Sequence, residues 1–337
     1  MKIKNKLFLL VIVISTGIVS CKKDTITKTP ASSTSPVPIT NWAAMQAFFS
    51  SNNIVTQTYV VNASAGGSFT SPQGTTITIP ANIFLTQANV PVTGNVTIQF
   101  KDAYKKSDIF FANMLTQLSN DAPFKSGGEF FIKAIQNNEG LILAPGKKID
   151  VSQSASLTGG INTSLQQQAF IGKDSLIYPT NCTICPDYII NDPIWSVANI
   201  DSAKTVAQNY IFSLHQFNSP VDSGSWCTTG NASFFASYPQ TTLNLTAQDS
   251  VSTYSTQVFL VFKNQTTVVQ VGAYGYENFK YTNAPQGLQC TIVALGFKNG
   301  NTYSAFVPIT IGANQTVPFT LSQTTTSAFV TQLRALD

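Results

Sequence analysis

The chain has 337 residues, of which 43% are hydrophobic and only 10% charged, against about 25% charged in an ordinary soluble domain. One histidine (His215), one arginine (Arg334) and three glutamates (Glu129, Glu139, Glu277) leave little for acid–base chemistry, hydrolytic metal sites or phosphate handling. The positive charge is sparse and scattered, which excludes a basic nucleic-acid binder.

At the amino terminus Lys2, Lys4 and Lys6 precede an unbroken apolar run from Leu7 to Ile14, followed by small and polar residues. This is the pattern of a secretory signal, and the run is short of the ~20 residues that a membrane span needs. Ile18-Val19-Ser20-Cys21 resembles a bacterial lipobox. The resemblance implies a signal peptide over residues 1–20, cleavage before Cys21 and attachment of diacylglycerol to the Cys21 sulfur. Several acyl chains on one residue anchor stably, since each buried CH₂ contributes about 0.8 kcal/mol. Loss of residues 1–20 removes three lysines and no acid, leaving 16 basic residues against 15 acidic ones, so the mature chain is nearly neutral. Residues 21–39 are the lipidated Cys followed by a Ser/Thr/Pro/Lys-rich tether that holds the folded part off the bilayer. The Cys-Lys-Lys-Asp start is similar to that of many Bacteroidetes-type lipoproteins. With Lys rather than Asp after the Cys, nothing signals inner-membrane retention. The expected location is the outer membrane of a Gram-negative bacterium, with the periplasmic and cell-surface faces both open.

Beyond the tether the expected fold is all-β: two β-sandwich domains in tandem, over 40–240 and 241–337, with short helices near 41–50 and 326–336. Thr40 and Asn41 can cap the first helix, where Trp42, Met45, Phe48 and Phe49 recur at helical spacing. The segments 54–61, 75–79 and 96–100 then alternate as strands, punctuated by Gly66-Gly67, Pro72-Gln73-Gly74, Gly94 and Pro145-Gly146. Pro72-x-Gly74-Thr75, the Ile79-Pro80-Ala81 turn into Phe84, Gly94-x-Val96 and the Ser126-Gly127-Gly128 step resemble the zona-occludens/Unc-five type of β-sandwich. The form found in large Bacteroidetes-type lipoproteins is the nearer match, over about 90 residues. The resemblance implies a structural module. Some members self-cleave at a His-Phe-Ser site, and this region has no His, so that activity is not carried over. Glu129 and Lys133 read as a solvated strand face.

Residues 155–205 are less regular and hold Cys182, Cys185 and Trp195. Residues 210–214 alternate again, ahead of His215, Trp226-Cys227 and Phe234-Phe235. In the second domain, strands are expected at 242–245, 258–262, 268–274, 290–295, 304–311 and 317–321. The turn Phe279-x-Tyr281…Ala284-Pro285-x-Gly287 leading into Cys290 resembles carboxypeptidase-regulatory-like sandwiches, which are structural. A last helix is capped within Thr324–Thr326 and carries Phe329, Leu333 and Leu336 on one face.

After Cys21 four cysteines remain, Cys182, Cys185, Cys227 and Cys290, and an oxidising compartment makes disulfides the default. Three pairings are open, and Cys182–Cys185 with Cys227–Cys290 is the one favoured here. A zinc site lacks a second C-x-x-C, and a thiol redox site lacks a βαβ context. No G-x-S-x-G occurs to orient a nucleophile toward His215. Asp followed by Ser or Thr and an apolar residue places Thr25, Ser175, Ser202 and Ser250 in a pattern similar to the O-glycosylation acceptors of Bacteroidetes-type envelope proteins. Asp in turns and caps is the plainer reading.

The function expected from these residues is a non-enzymatic, lipid-anchored structural or interaction module of the envelope, without cofactor or metal. Its partners are the membrane, through the anchor, and an envelope protein or a glycan, with no nucleic acid. The alternative is a glycan-binding surface lipoprotein using Trp42, Trp195, Trp226 and Tyr188, provided two of them lie exposed on one face. A hydrolase is the remote third reading and needs a carboxylate pair in a cleft.

Overall fold

The computed structural model describes residues 40–160, 167–172, 195–199, 201–217, 224–248, 255–273 and 277–337. Cys21 and the tether, Cys182, Cys185, Tyr188, Thr25, Ser175 and Ser250 lie outside the described residues, as does the Trp42 side chain. The described chain is all-β with a few short helices.

The first part runs α1 (Thr40–Asn52), β1 (Gln57–Asn62), β2 (Gly67–Thr70), β3 (Thr76–Ile79), β4 (Phe84–Leu85), β5 (Asn95–Ala103), α2 (Lys106–Ala112) and β6 (Lys125–Gln136). It continues with β7 (Glu139–Gly140), β8 (Ile142–Leu143), β9 (Ile149–Ser154), β10 (Gln168–Gly172), β11 (Trp195–Val197), β12 (Ser202–Val206), β13 (Asn209–Leu214) and β14 (Ser225–Asn231). Strands β1-β5-β6-β14-β10-β11, with β7 beside β6, form one sheet, and β12-β13-β9-β3-β2 form a second. Alternate residues from both sheets meet between them: Ile77, Val96, Ile98, Phe100, Phe130, Ile132, Val151, Phe212 and Leu214 are all buried there. The period-2 pattern read from the sequence is the inward face of this sandwich.

The second part runs α3 (Ser233–Ala236), β15 (Gln240–Ala247), β16 (Thr256–Phe262), β17 (Val268–Ala273), β18 (Asn278–Pro285), β19 (Gln289–Lys298), β20 (Asn301–Thr310), β21 (Gln315–Phe319), β22 (Ser322–Thr324) and α4 (Thr326–Arg334). Its strand order is β21-β15-β18-β17-β16-β19-β20-β22. All these pairs are antiparallel except β15–β21. Leu243, Leu245, Val258, Leu260, Val269, Phe279, Ile292, Ala294 and Phe319 share one core, so the eight strands close over it as a second sandwich.

A third core joins the two. Phe259, Val261, Val293, Leu295 and Phe297, on the other face of β16 and β19, pack with α1, α2, α4 and the outward face of the first sandwich. Every residue of β16 is therefore buried, which is why Val258–Phe262 reads as an unbroken apolar run rather than alternating. Phe110 of α2 sits at the centre, its ring centroid 4.6 Å from Phe259, 5.4 Å from Phe49 and 5.8 Å from Phe329. Helix α1, expected as part of the first domain, reaches across to the second: Phe48 lies 5.9 Å from Phe297 and 5.5 Å from Phe329. Both terminal helices form where their spacing predicted. The Thr325 hydroxyl accepts the Ala328 N–H at 3.1 Å to start α4, and Phe329 and Leu333 are its buried face.

Candidate binding cleft

The turn motif at residues 71–75 is organised by a carboxylate that sequence reasoning did not single out. Asp102, near the end of β5, is 2% exposed and lies opposite Phe130 of β6, so its side chain faces the interior of the first sandwich. Its Oδ2 accepts hydrogen bonds from Ser71 Oγ at 2.5 Å and Thr75 Oγ1 at 2.7 Å, and its Oδ1 accepts one from Gln57 Nε2 at 3.2 Å. Gln73 Nε2 donates to the Asp102 main-chain carbonyl at 2.8 Å. Three of the five residues of Ser71-Pro72-Gln73-Gly74-Thr75 thus converge on one aspartate. Since Thr75 spends its proton on Asp102, the Tyr104 hydroxyl donates to Thr75 Oγ1. Burial pushes the Tyr104 phenol well up, and the Asp102 charge adds to the rise.

Glu129 corrects the expectation of a solvated face: it is fully buried. It lies opposite Ala103 of β5 and Thr228 of β14, and both carboxyl oxygens lack a hydrogen-bond partner among the described residues. Desolvation raises its pKa well above the ordinary carboxylate value, which favours the protonated form. The preceding glycine step is a matter of close approach. Gly127 would place a Cβ 2.5 Å from Thr229 Oγ1, and Gly128, at φ +101°, would place one 2.5 Å from the Tyr104 ring.

Between the two sandwiches opens a cleft of about 780 Å³. One wall comes from the start of α2 and residues 157–159, the other from the β16–β17 turn and the adjoining ends of β19 and β20. Lys105, Lys106 and Lys263 line it, with the amides of Asn264, Gln265 and Gln289. The Gln265 Oε1 atom is buried and has no hydrogen-bond partner among the described residues. Asp337 contributes a carboxylate that is already engaged: it accepts from the Ser107 N–H at 2.8 Å and from Ser107 Oγ at 2.7 Å, holding the first turn of α2. Burial lowers the Lys106 pKa, and the Asp337 charge pulls it back up.

The residues singled out from the sequence do not assemble here. Trp195 is 0% and Trp226 4% exposed, both inside the core that joins the sandwiches, so they offer no face to a sugar. Cys227 and Cys290 are free thiols, which corrects the expected pairing. The sandwich interiors separate them: Cys227 faces the first core and Cys290 the second. His215 stands beside Asp201, whose Oδ1 accepts the His215 backbone N–H at 2.7 Å and lies 3.8 Å from the ring Nδ1. That bond ties the end of β13 to the start of β12 and leaves Ser202 exposed on an edge strand. Among the described residues no three His, Cys, Asp or Glu side chains come together as a metal site. The cleft was not legible because Lys263 lies far along the chain from the adjacent Lys105 and Lys106, and the three carry no motif.

No family model and no curated protein matches the chain. Among solved structures, the major pilin subunit BcpA of Bacillus cereus aligns over 80% of this chain and 99% of that one, at 9% identity and a TM-score of 0.19. A likeness at that level carries no argument about fold or function.

Proposed function

We propose that this protein is a non-enzymatic interaction module of the cell envelope, held at the outer membrane through a lipid on Cys21. The observation that carries the reading is the welded pair of sandwiches. Phe48, Phe110, Phe259 and Phe329 bury the helices against both stacks, so the cleft between them is presented on a preformed frame. What lines that cleft supports binding rather than turnover: lysines, amides and hydroxyls, with its aspartate spent on Ser107. The lipobox-like Ile18–Cys21 and the tether after it support anchoring.

Two measurements test this. Mature protein from its own host should carry the mass of a lipidated Cys21, and Cys21→Ser should lose both that mass and its place in the outer membrane. Crosslinked capture from intact envelopes should recover a partner with the native chain and lose it with Lys105→Glu/Lys263→Glu. A Cys21→Ser protein still fractionating with the outer membrane, or capture indifferent to the cleft substitutions, tells against the reading.

A further inference from the structure

The free edge of the first sandwich lies away from the cleft, none of whose lining residues comes from β1 or β2. We propose that β1 is the contact between two copies of this chain, paired antiparallel about a twofold axis that passes through Tyr59.

The first observation is an edge without the usual protection. Strand β1 ends one sheet and β2 ends the other, and Tyr59 stacks on Phe69 at 3.9 Å where the two ends meet. Exposed edges are ordinarily blunted by charge, proline or a bulge. Although 10% of the chain is charged, residues 29–100 hold no Asp, Glu, Lys, Arg or His. Neither β1 nor β2 contains proline, and β1 pairs with β5 over Gln57–Asn62 without a break in register. By contrast β12, the strand at the opposite end of the second sheet, carries Lys204. Val60, at 63% exposure, stands on the outward face of β1 with Thr58.

The second observation is where the main-chain groups of β1 point. The Ala63 N–H donates to Gly94 O at 2.7 Å on the β5 side, and the Asn62 carbonyl, turned the other way, accepts the Gly66 N–H at 2.8 Å. Along a strand successive residues direct their N–H and C=O to opposite sides. Tyr59 and Val61 therefore spend theirs on β5, whereas Thr58 and Val60 present theirs at the edge, where no strand pairs among the described residues.

A second copy is the occupant that these groups fit. Cross-strand partners share a face of the sheet, so an antiparallel self-pairing places its axis through a residue rather than between two. With the axis at Tyr59, Thr58 of each copy meets Val60 of the other. Both pairs then exchange N–H···O=C bonds in each direction, and the Asn62 carbonyl stays on Gly66. With the axis at Val60, Thr58 would need that occupied carbonyl. A twofold contact sets a strand against itself, and like charges directly opposite are the usual bar to it; β1 has none. An axis normal to the sheet also brings β2 toward its own copy in the second layer.

The test uses the whole mature chain with Cys21→Ser, so that no lipid gathers the copies, in sedimentation equilibrium from about 1 µM to about 1 mM, the range of weak association. The weight-average mass should rise toward twice that of the monomer. Thr58→Lys/Val60→Lys, at two exposed positions, sets like charges opposite each other and should stay monomeric. Thr58→Glu/Val60→Lys sets opposite charges face to face in this register and should dimerise at least as strongly as the native strand. Val60→Pro deletes an N–H that β5 does not use, so it should abolish the dimer and keep the native circular dichroism. A monomer throughout, a dimer that survives Thr58→Lys/Val60→Lys and Val60→Pro, or a Thr58→Glu/Val60→Lys chain that stays monomeric overturns the proposal.

Discussion

Replacing Asp102 by Ala should be among the most damaging single changes in the first sandwich. The substitution leaves Ser71 Oγ, Thr75 Oγ1 and Gln57 Nε2 without their acceptor inside a site that is 2% exposed. Hydrogen bonds to a charged acceptor contribute about 1.5–3 kcal/mol each, and donors that act on one carboxylate are not additive. Two of the three are short, at 2.5 and 2.7 Å, and the Gln57 bond is longer at 3.2 Å. A loss of about 3–5 kcal/mol follows, comparable to breaking a buried polar pair and a large share of the roughly 5–15 kcal/mol that stabilises a domain. Asp102→Asn keeps one carbonyl acceptor and the side-chain volume, and should cost clearly less. Urea unfolding of wild type and both variants, followed by far-UV circular dichroism, measures the difference through the midpoint at constant slope. Hydrogen exchange should localise the loss to residues 71–75 and the start of β3. A loss under about 1 kcal/mol for Asp102→Ala, the size of a surface substitution, would refute the claim that this carboxylate organises the turn.

Three further outcomes are expected. Glu129 has a folded pKa above its unfolded value, so the native state binds the extra proton; its contribution is fullest below the unfolded value and is lost as pH rises toward the folded one. Glu129→Leu should therefore gain stability relative to wild type as pH rises above the ordinary glutamate range, with thermal melts reading a gap that widens by about 1.4 kcal/mol per pH unit at most; a pH-independent gap would mean that burial does not raise this carboxyl. Phe110→Ala, at the junction of α1, α4 and β16, should cost about 3–5 kcal/mol and loosen protection in both sandwiches together, as hydrogen exchange would detect; loss confined to one stack would show that the joint core does not couple them. The Cys227 thiol is pushed well above its usual range by burial and Cys290 up to about 12, so both should resist iodoacetamide in the folded protein and alkylate in denaturant without reductant, as counted by mass; labelling that requires a reductant would restore a disulfide.

Much of the local architecture was legible. Strands such as Val96–Phe100 carry a period of two because one face of a sandwich is buried and the other is not. Phe329 and Leu333 recur at helical spacing behind a Thr cap because a short helix needs both an apolar face and a satisfied first turn. Helix α2 is not legible: Lys106–Ala112 spans only 7 residues, polar at its start and apolar after, which is too short for a helical period to show. Glu129 was misread for a related reason, since alternation says which face a residue shares with Phe131 but not that helices and a second sandwich cover that face.

The sequence by itself determined what local chemistry can encode: the strand faces, the glycine and proline punctuation, the caps of the terminal helix, and the scarcity of ionisable groups. Only the tertiary structure decided what depends on residues distant in the chain. It brought Gln57, Ser71 and Thr75 onto Asp102, sent Cys227 and Cys290 into separate cores, buried Trp195 and Trp226, and set Lys105 across a cleft from Lys263. The division has a physical cause. Periodicity and capping act over a few residues, whereas a cleft or a buried network exists only where two sheets have already packed, and no spacing along the chain records that.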